Sequence, residues 1–302
     1  MTTPRIAPYD WFLLLVLSIL WGGAFFFGKI IIAELPPLTL VFLRVGGAAL
    51  LLLIVVGVTR QPVPAARTWP AFLVMGALNN VIPMGLIFWA QLSLGAGVAS
   101  VLNATTPLFS LLLGAMVGAE ALGGRRAAGI LLGIVGVAVM VGPGAWSGSS
   151  DAVLPSLAIL AAAISYAFAG RFARRFKEVQ PLVLAAGQLS GSTILLLPVV
   201  LWLDGIQHLP MPSGPVVLSL VLLIVFSTAL AYIIFFKLLT RSGPTNALLV
   251  TLLIPVSATL LGVLFLGESI SGTQAVGMAG IGVGLLVIDG RLLSLCKRKG
   301  AP

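Results

Sequence analysis

The chain has 302 residues, with 17 Lys or Arg, 8 Asp or Glu and one His, so charged side chains make up only 8% of it. Soluble domains carry about 25%. With 59% apolar residues and a mean hydropathy of +1.16, this sequence has no charged shell to offer water, which excludes a soluble enzyme, a nucleic-acid-binding module and a disulfide scaffold.

At about 20 residues per spanning helix, ten spans take about 200 residues and leave about 100 for short loops. The reading is therefore an all-α integral membrane protein. Gaps between ionisable residues mark the spans. The first two run over about 11–33 and 38–57, interrupted only by Lys29 and Arg44. From Arg67 to Glu120 nothing titrates at neutral pH, enough for spans at 69–91 and 96–118 joined by a tight turn. Single-helix gaps place the others at 127–143, 153–170, 181–203, 215–237, 244–266 and 271–289. The opening apolar run is too long for a leader's h-region and reads as a retained first helix.

Topology follows from the basic residues. With a cytoplasmic N-terminus, fifteen Lys and Arg fall in inner segments and none in outer loops, leaving only Lys29 and Arg44 inside spans. That bias predicts both termini in the cytoplasm, and it explains the isoelectric point near 10.6 without nucleic acid. Trp11, Trp69, Trp89, Trp146 and Trp202 fall near span ends, where an aromatic belt belongs. Cys296, the only cysteine, has no partner in the chain.

Shifted by 148 residues, Gly95–Gly142 lies on Gly243–Gly290 without a gap, with thirteen identities that include Pro107/Pro255, Glu120/Glu268, Gly129/Gly277 and Gly136/Gly284. Earlier helices align more weakly at an offset of 145, pairing Pro36 with Pro181 and Trp21 with Tyr166. Each copy holds five helices, residues 1–146 and 147–302. Five is odd, so the second copy enters the membrane from the opposite side. Inverted repeats around a central cavity are a common way to build alternating access, with the substrate held near the midplane between the halves.

The doubled pattern of Ala99, Pro107, Glu120, Gly129 and Gly136 with Ala247, Pro255, Gly267-Glu268, Gln274, Gly277 and Gly284, together with Trp21-Gly22 and Arg44, resembles the EamA type of the drug/metabolite transporter superfamily. Within it, the chain is most similar to amino-acid exporters of the YddG kind. The resemblance implies a bacterial inner-membrane exporter of amino acids, aromatic ones among them, or of similar small metabolites, working as a monomer without a cofactor. Drug or nucleotide-sugar carriage is the alternative within the superfamily. Phosphate-bearing substrates would want several deep cations, and cationic drugs a membrane-embedded acid.

The cavity-lining candidates are polar or aromatic residues deep in spans, where lipid would not tolerate an unsatisfied amide or hydroxyl. They are Trp21, Asn79, Asn80, Asn103, Tyr166, Gln188 and Tyr232. Asn79 and Asn80 are adjacent, so they are expected on different helix faces. Pro107 and Pro255 remove backbone donors and are candidate hinges. Lys29 and Arg44 either snorkel to the outer interface, with Glu34 close by, or form an outer vestibule that receives a substrate carboxylate. Glu120 and Glu268 are expected to cap the start of the glycine-rich helix that follows each. The glycines of those helices offer small faces for close packing. No Asp, Glu or His sits mid-span, which disfavours a midplane proton relay. One histidine, no Asp-rich cluster and no HExxH disfavour an enzyme, and an internal repeat disfavours a channel with an oligomeric filter.

Overall fold

The computed structural model describes residues 7–118, 123–146, 150–247 and 249–289. Glu120, Cys296 and the side chain of Trp146 lie outside the described residues. Nine helices among those described are long and apolar enough to cross a membrane, and a shorter apolar one completes ten. They are α1 (Pro8–Ile31), α2 (Pro37–Val58), α3 (Ala66–Ala90), α4 (Ala96–Met116), α5 (Gly124–Trp146), α6 (Ser150–Phe172), α7 (Pro181–Asp204), α8 (Gly214–Ser242), α9 (Pro244–Ala247 and Val250–Leu266) and α10 (Gly272–Asp289). Each predicted span finds its helix. The largest departure is α8, which continues past Lys237 to Ser242, because Lys237 and Arg241 reach partners at the start of α1.

Proline fixes several starts. Pro8, Pro37 and Pro181 stand in the first turn of α1, α2 and α7, where a missing N–H costs nothing. Apolar side chains are exposed along the outer faces, among them Leu15, Ile19, Leu53, Ile54 and Leu264. Trp11, Trp69, Trp89 and Trp202 are exposed near helix ends, while Trp21 is half-buried mid-helix.

Lipid tails are as apolar as leucine, so close helix contact in a membrane rests on packing and polar pairs rather than hydrophobic burial. The seam between α5 and α10 shows this. A Cβ on Gly129 would lie 2.7 Å from the Gly284 carbonyl oxygen, and one on Gly284 2.6 Å from that of Gly129. Gly136 and Gly277 meet with the same reciprocity, at 2.8 and 2.7 Å. The contact rises along one helix as it falls along the other, so the pair is antiparallel. Gly129 and Gly136 are also the repeat partners of Gly277 and Gly284. Equivalent residues exchanging equivalent contacts is what a local two-fold axis across the helices produces.

Elsewhere α2 packs on α7, α1 on α9, α3 on α6 and α7, and α4 on α6 and α9. The loops add ties. Asp204 at the end of α7 accepts hydrogen bonds from Thr39 N (2.9 Å) and Thr39 Oγ1 (2.7 Å) in the first turn of α2. Glu34, read from sequence as a partner for Lys29 or Arg44, instead accepts from Ser213 Oγ (2.6 Å) and N (2.7 Å). Those bonds hold its carboxyl below the ordinary carboxylate range. A lowered pKa means that the tie is present above about pH 4.3 and is lost as pH falls through the lowered value.

Candidate substrate site and its two closed ends

Two helices leave α geometry at matched places. In α3 the π-helical turn Ala77–Val81 carries Asn79 and Asn80, and in α8 the turn Val225–Leu230 carries Ser227 and Thr228. Asn80 and Thr228 are 148 positions apart, the spacing of the repeat. The local causes differ. Pro83, just after the first turn, has no N–H for the carbonyl of Asn79. In α8 the Thr228 hydroxyl donates to the Leu223 carbonyl oxygen at 2.8 Å. Such π-turns occur frequently at functional sites.

Both turns feed a buried polar cluster. Asn79 Nδ2 donates to Gln188 Oε1 (3.2 Å), Gln188 Nε2 to the Tyr232 hydroxyl (3.4 Å), and Asn80 Nδ2 to Ser192 Oγ (2.9 Å). The two adjacent asparagines, expected on different faces, both meet α7, with Asn80 buried and Asn79 partly accessible. Neighbours about 100° apart can flank the same packed helix, and Gln188 and Ser192 are one helical turn apart on it. On the other side Arg44 Nε donates to Thr228 Oγ1 at 3.0 Å. Arg44–Thr228 thus joins α2 to α8 as Ser192–Asn80 joins α7 to α3, one contact with a cation and one without.

Arg44 corrects a sequence expectation. It is 7% exposed, with the Phe88 ring 5.8 Å from its guanidinium carbon and the Tyr166 and Tyr232 phenols within electrostatic reach. It snorkels nowhere and stands in no outer vestibule, because its hydroxyl partner lies in the core on α8. Tyr232 continues into an aromatic chain through Phe236 (5.9 Å) and Phe235 (5.6 Å from Phe236) to Trp21, 5.2 Å from Phe235. Tyr166, Tyr232, Trp21 and Asn79 are partly accessible although they sit deep within the bundle. Asn80 Oδ1, Asn103 Oδ1 and Ser227 Oγ are buried without a partner. Asn103 makes no side-chain hydrogen bond to the cluster, and the structure does not bring it together with Asn79 or Gln188.

The proline sites behave differently from each other. In α4 the helix breaks at Ala104 and Thr105 before restarting at Thr106 with Pro107. The Asn103 carbonyl that Pro107 leaves without its helical donor accepts from Thr106 Oγ1 at 2.8 Å. In α9 the helix runs unbroken through Pro255, and the turn lies earlier, at Leu249 before Val250. Pro255 is thus no break point here. The neighbouring Ser257 Oγ ties α9 to α1 by donating to the Ser18 carbonyl oxygen at 2.6 Å.

At the end of the bundle where α1 finishes and α4 starts, charges tie helix termini together. Lys29, in the last turn of α1, donates to the carbonyl oxygens of Gln91 and of Leu94 (3.1 Å) beyond the end of α3. It turns inward rather than snorkelling. Glu268 accepts from Ala96 N (2.6 Å) and Gly97 N (3.2 Å) at the start of α4. A cation on C-terminal carbonyls and an anion on N-terminal amides both suit the helix dipole. Glu268 was expected to cap its own following helix, but Ser271 and Gln274 do that with a reciprocal capping box. The carboxylate is therefore free to cap α4 across the repeat boundary. Gly267, at φ +66°, throws the chain back to place it there.

At the opposite end α1 is tied to α8. Asp10 accepts from Arg241 Nε (2.9 Å) and Ser242 Oγ (2.7 Å). The Tyr9 ring lies against both Arg241 and Lys237. Substituting Asp10 by Asn is expected to loosen this end, seen as faster modification of a cysteine at Ser18 by thiol reagents applied from the cytoplasmic side of vesicles, after Cys296 is replaced.

Ser192, Ser227, Thr228 and Phe88 were missed in the sequence. A signal for two of them existed, since carrying the 148 offset back into the third span puts Ser227-Thr228 on Asn79-Asn80.

Ten apolar helices, an antiparallel seam of equivalent residues and a polar cluster deep in the bundle, with hydrogen-bonded ties between helix ends on either side of it, are the features of a multi-pass membrane transporter. The EamA-like transporter family matches the chain twice, over residues 10–142 and 154–289. The chain belongs to that family, within the drug/metabolite transporters, and is a transporter rather than an enzyme. A probable amino-acid metabolite efflux pump of Salmonella typhimurium is 29% identical over 290 residues, 92% of this chain and 94% of that protein. The uncharacterized inner membrane transporter YedA of Escherichia coli is 28% identical over 96% of this chain and 94% of its own length. The uncharacterized transporter YvbV of Bacillus subtilis is 27% identical, covering 88% and 87%. A crystal structure 23% identical to the chain shares its fold with a TM-score of 0.63, over 93% of this chain and 98% of that one.

Proposed function

We propose that the chain is a monomeric secondary transporter of the bacterial inner membrane, with both termini in the cytoplasm, exporting amino acids or similar small metabolites by alternating access. The observation that carries this reading is the buried cluster of one cation, amides, hydroxyls and aromatic rings shared by α2, α3, α7 and α8. An uncompensated polar group in such a place is costly, and a zwitterion with an apolar side chain is what it complements. Trp21, Asn79, Asn80, Asn103, Tyr166, Gln188 and Tyr232 line the path in this reading. The efflux pump named among the relatives supports the substrate class. The halves 1–146 and 147–302 act as inverted repeats, rocking about the α5–α10 seam, with the break before Pro107 as a flexing point.

Bacteria fed a phenylalanine-containing dipeptide release free phenylalanine internally. Expression of the chain is expected to lower that pool several-fold and raise the external one. Unchanged pools across a panel of such dipeptides would overturn the export reading. A C-terminal fluorescent protein should glow and a C-terminal alkaline phosphatase stay inactive; the reverse would overturn the orientation.

A further inference from the structure

We infer that Arg44 is the docking group for a carboxylate carried by the substrate, so that ligands are selected first for that anion and only then for the side chain. This deepens the reading of the central cluster as the substrate site and rests on it.

Three observations carry the assignment. First, Arg44 is buried at 7% exposure and makes one hydrogen bond, through Nε to Thr228. Among the described residues no acceptor meets its two terminal nitrogens, which are the pair that grips a carboxylate side by side. Secondly, no carboxylate among those residues pairs with it. Its polar neighbours Tyr166 and Tyr232 carry phenols that are neutral at pH 7. A buried charge without a partner is strongly unfavourable, and an arriving anion removes that penalty. Thirdly, the fold does not need a cation there. The corresponding pair of helices in the other half, α7 and α3, is joined by Ser192 and Asn80 through neutral groups alone.

Phe88 covers one side of the guanidinium, and the partly accessible Tyr166 and Tyr232 are its aromatic neighbours. The unpartnered oxygens of the two π-turns, Asn80 Oδ1 and Ser227 Oγ, are neutral acceptors. They tolerate an ammonium group but do not replace a counter-charge. A cationic amine without a carboxylate would therefore meet Arg44 unshielded and be rejected.

Binding to the purified full chain in detergent, read as the ligand-dependent shift in unfolding temperature, separates this from transport. The probes are L-phenylalanine, 3-phenylpropionate, phenethylamine and chloride. Wild type is expected to be stabilised by the first two and by neither of the others. R44Q should need at least tenfold more of either carboxylate for the same shift, while R44K, keeping the charge but not the paired geometry, should fall between. If R44Q does not fold, the wild-type ligand series and R44K still decide. Equal stabilisation by phenethylamine, or by chloride at matched concentration, overturns the assignment, as does the absence of any carboxylate-dependent shift. Carboxylate binding without dipeptide-fed efflux would leave the Arg44 site standing and remove the export reading.

Discussion

A leucine at Gly136 is expected to cost the folded protein several degrees of thermal stability in detergent and most of its transport. A Cβ there would lie 2.6 Å from Ile281 N and 2.8 Å from Gly277 O. Both are backbone atoms, so no side chain can rotate away and the helices must separate. Overpacking of this kind costs about 1–3 kcal/mol where a core can yield, and a backbone-to-backbone seam yields less than most. Gly282→Leu is the control on the same pair of helices, because a Cβ at Gly282 meets nothing within 4 Å. Thermal unfolding of both variants followed by fluorescence-detected gel filtration checks the claim. Equal stability of the two would mean that the α5–α10 seam is not the close-packed axis of the bundle.

Glu268→Ala is expected to shift the balance between closed and open outer ends. The substitution leaves the amides of Ala96 and Gly97 without their acceptor and Lys29 without its nearby anion. Loss of a helix cap costs about 1 kcal/mol, and that alone is roughly a fivefold change in a two-state equilibrium. A cysteine at Ala99, one turn inside α4, should then be modified several-fold faster by an impermeant thiol reagent added from outside, in a chain lacking Cys296. Glu268→Gln keeps an acceptor oxygen and should behave closer to wild type. Unchanged modification in Glu268→Ala would show that the carboxylate caps a helix without holding the outer end closed.

Most of the architecture was legible because membrane sequences are constrained so simply. The charge-free gaps predicted all ten helices, since a titratable group in hydrocarbon is too costly to scatter along a span. The glycines of α5 and α10 announced small faces for close packing, but which of them meet is shown only by the structure. The polar residues of the site were legible as a set, but their partners were not. Nothing in the sequence says that Asn79 and Asn80 both reach α7, because a period of 3.6 gives their faces but not which helix packs between them. Arg44 was misplaced for a related reason. Its distance from the helix start suited snorkelling, and only the packing of α8 against α2 shows that its side chain points to Thr228. Glu268 was read as a local cap, a sound default that fails because Ser271 and Gln274 already fill that role. Pro255 looked equivalent to Pro107 by alignment, yet only the α4 proline follows a broken turn.

Tracer counterflow in liposomes holding the purified chain tests the central claim most directly. Vesicles loaded with an unlabelled amino acid are given a trace of the same labelled compound outside, with and without an imposed pH gradient. A carrier of zwitterions that has no Asp, Glu or His mid-span is expected to accumulate the label transiently, to the same extent under both conditions. Absence of counterflow for every amino acid, from protein shown to be folded, would contradict the account of the substrate. A dependence on the pH gradient would contradict its account of the driving force.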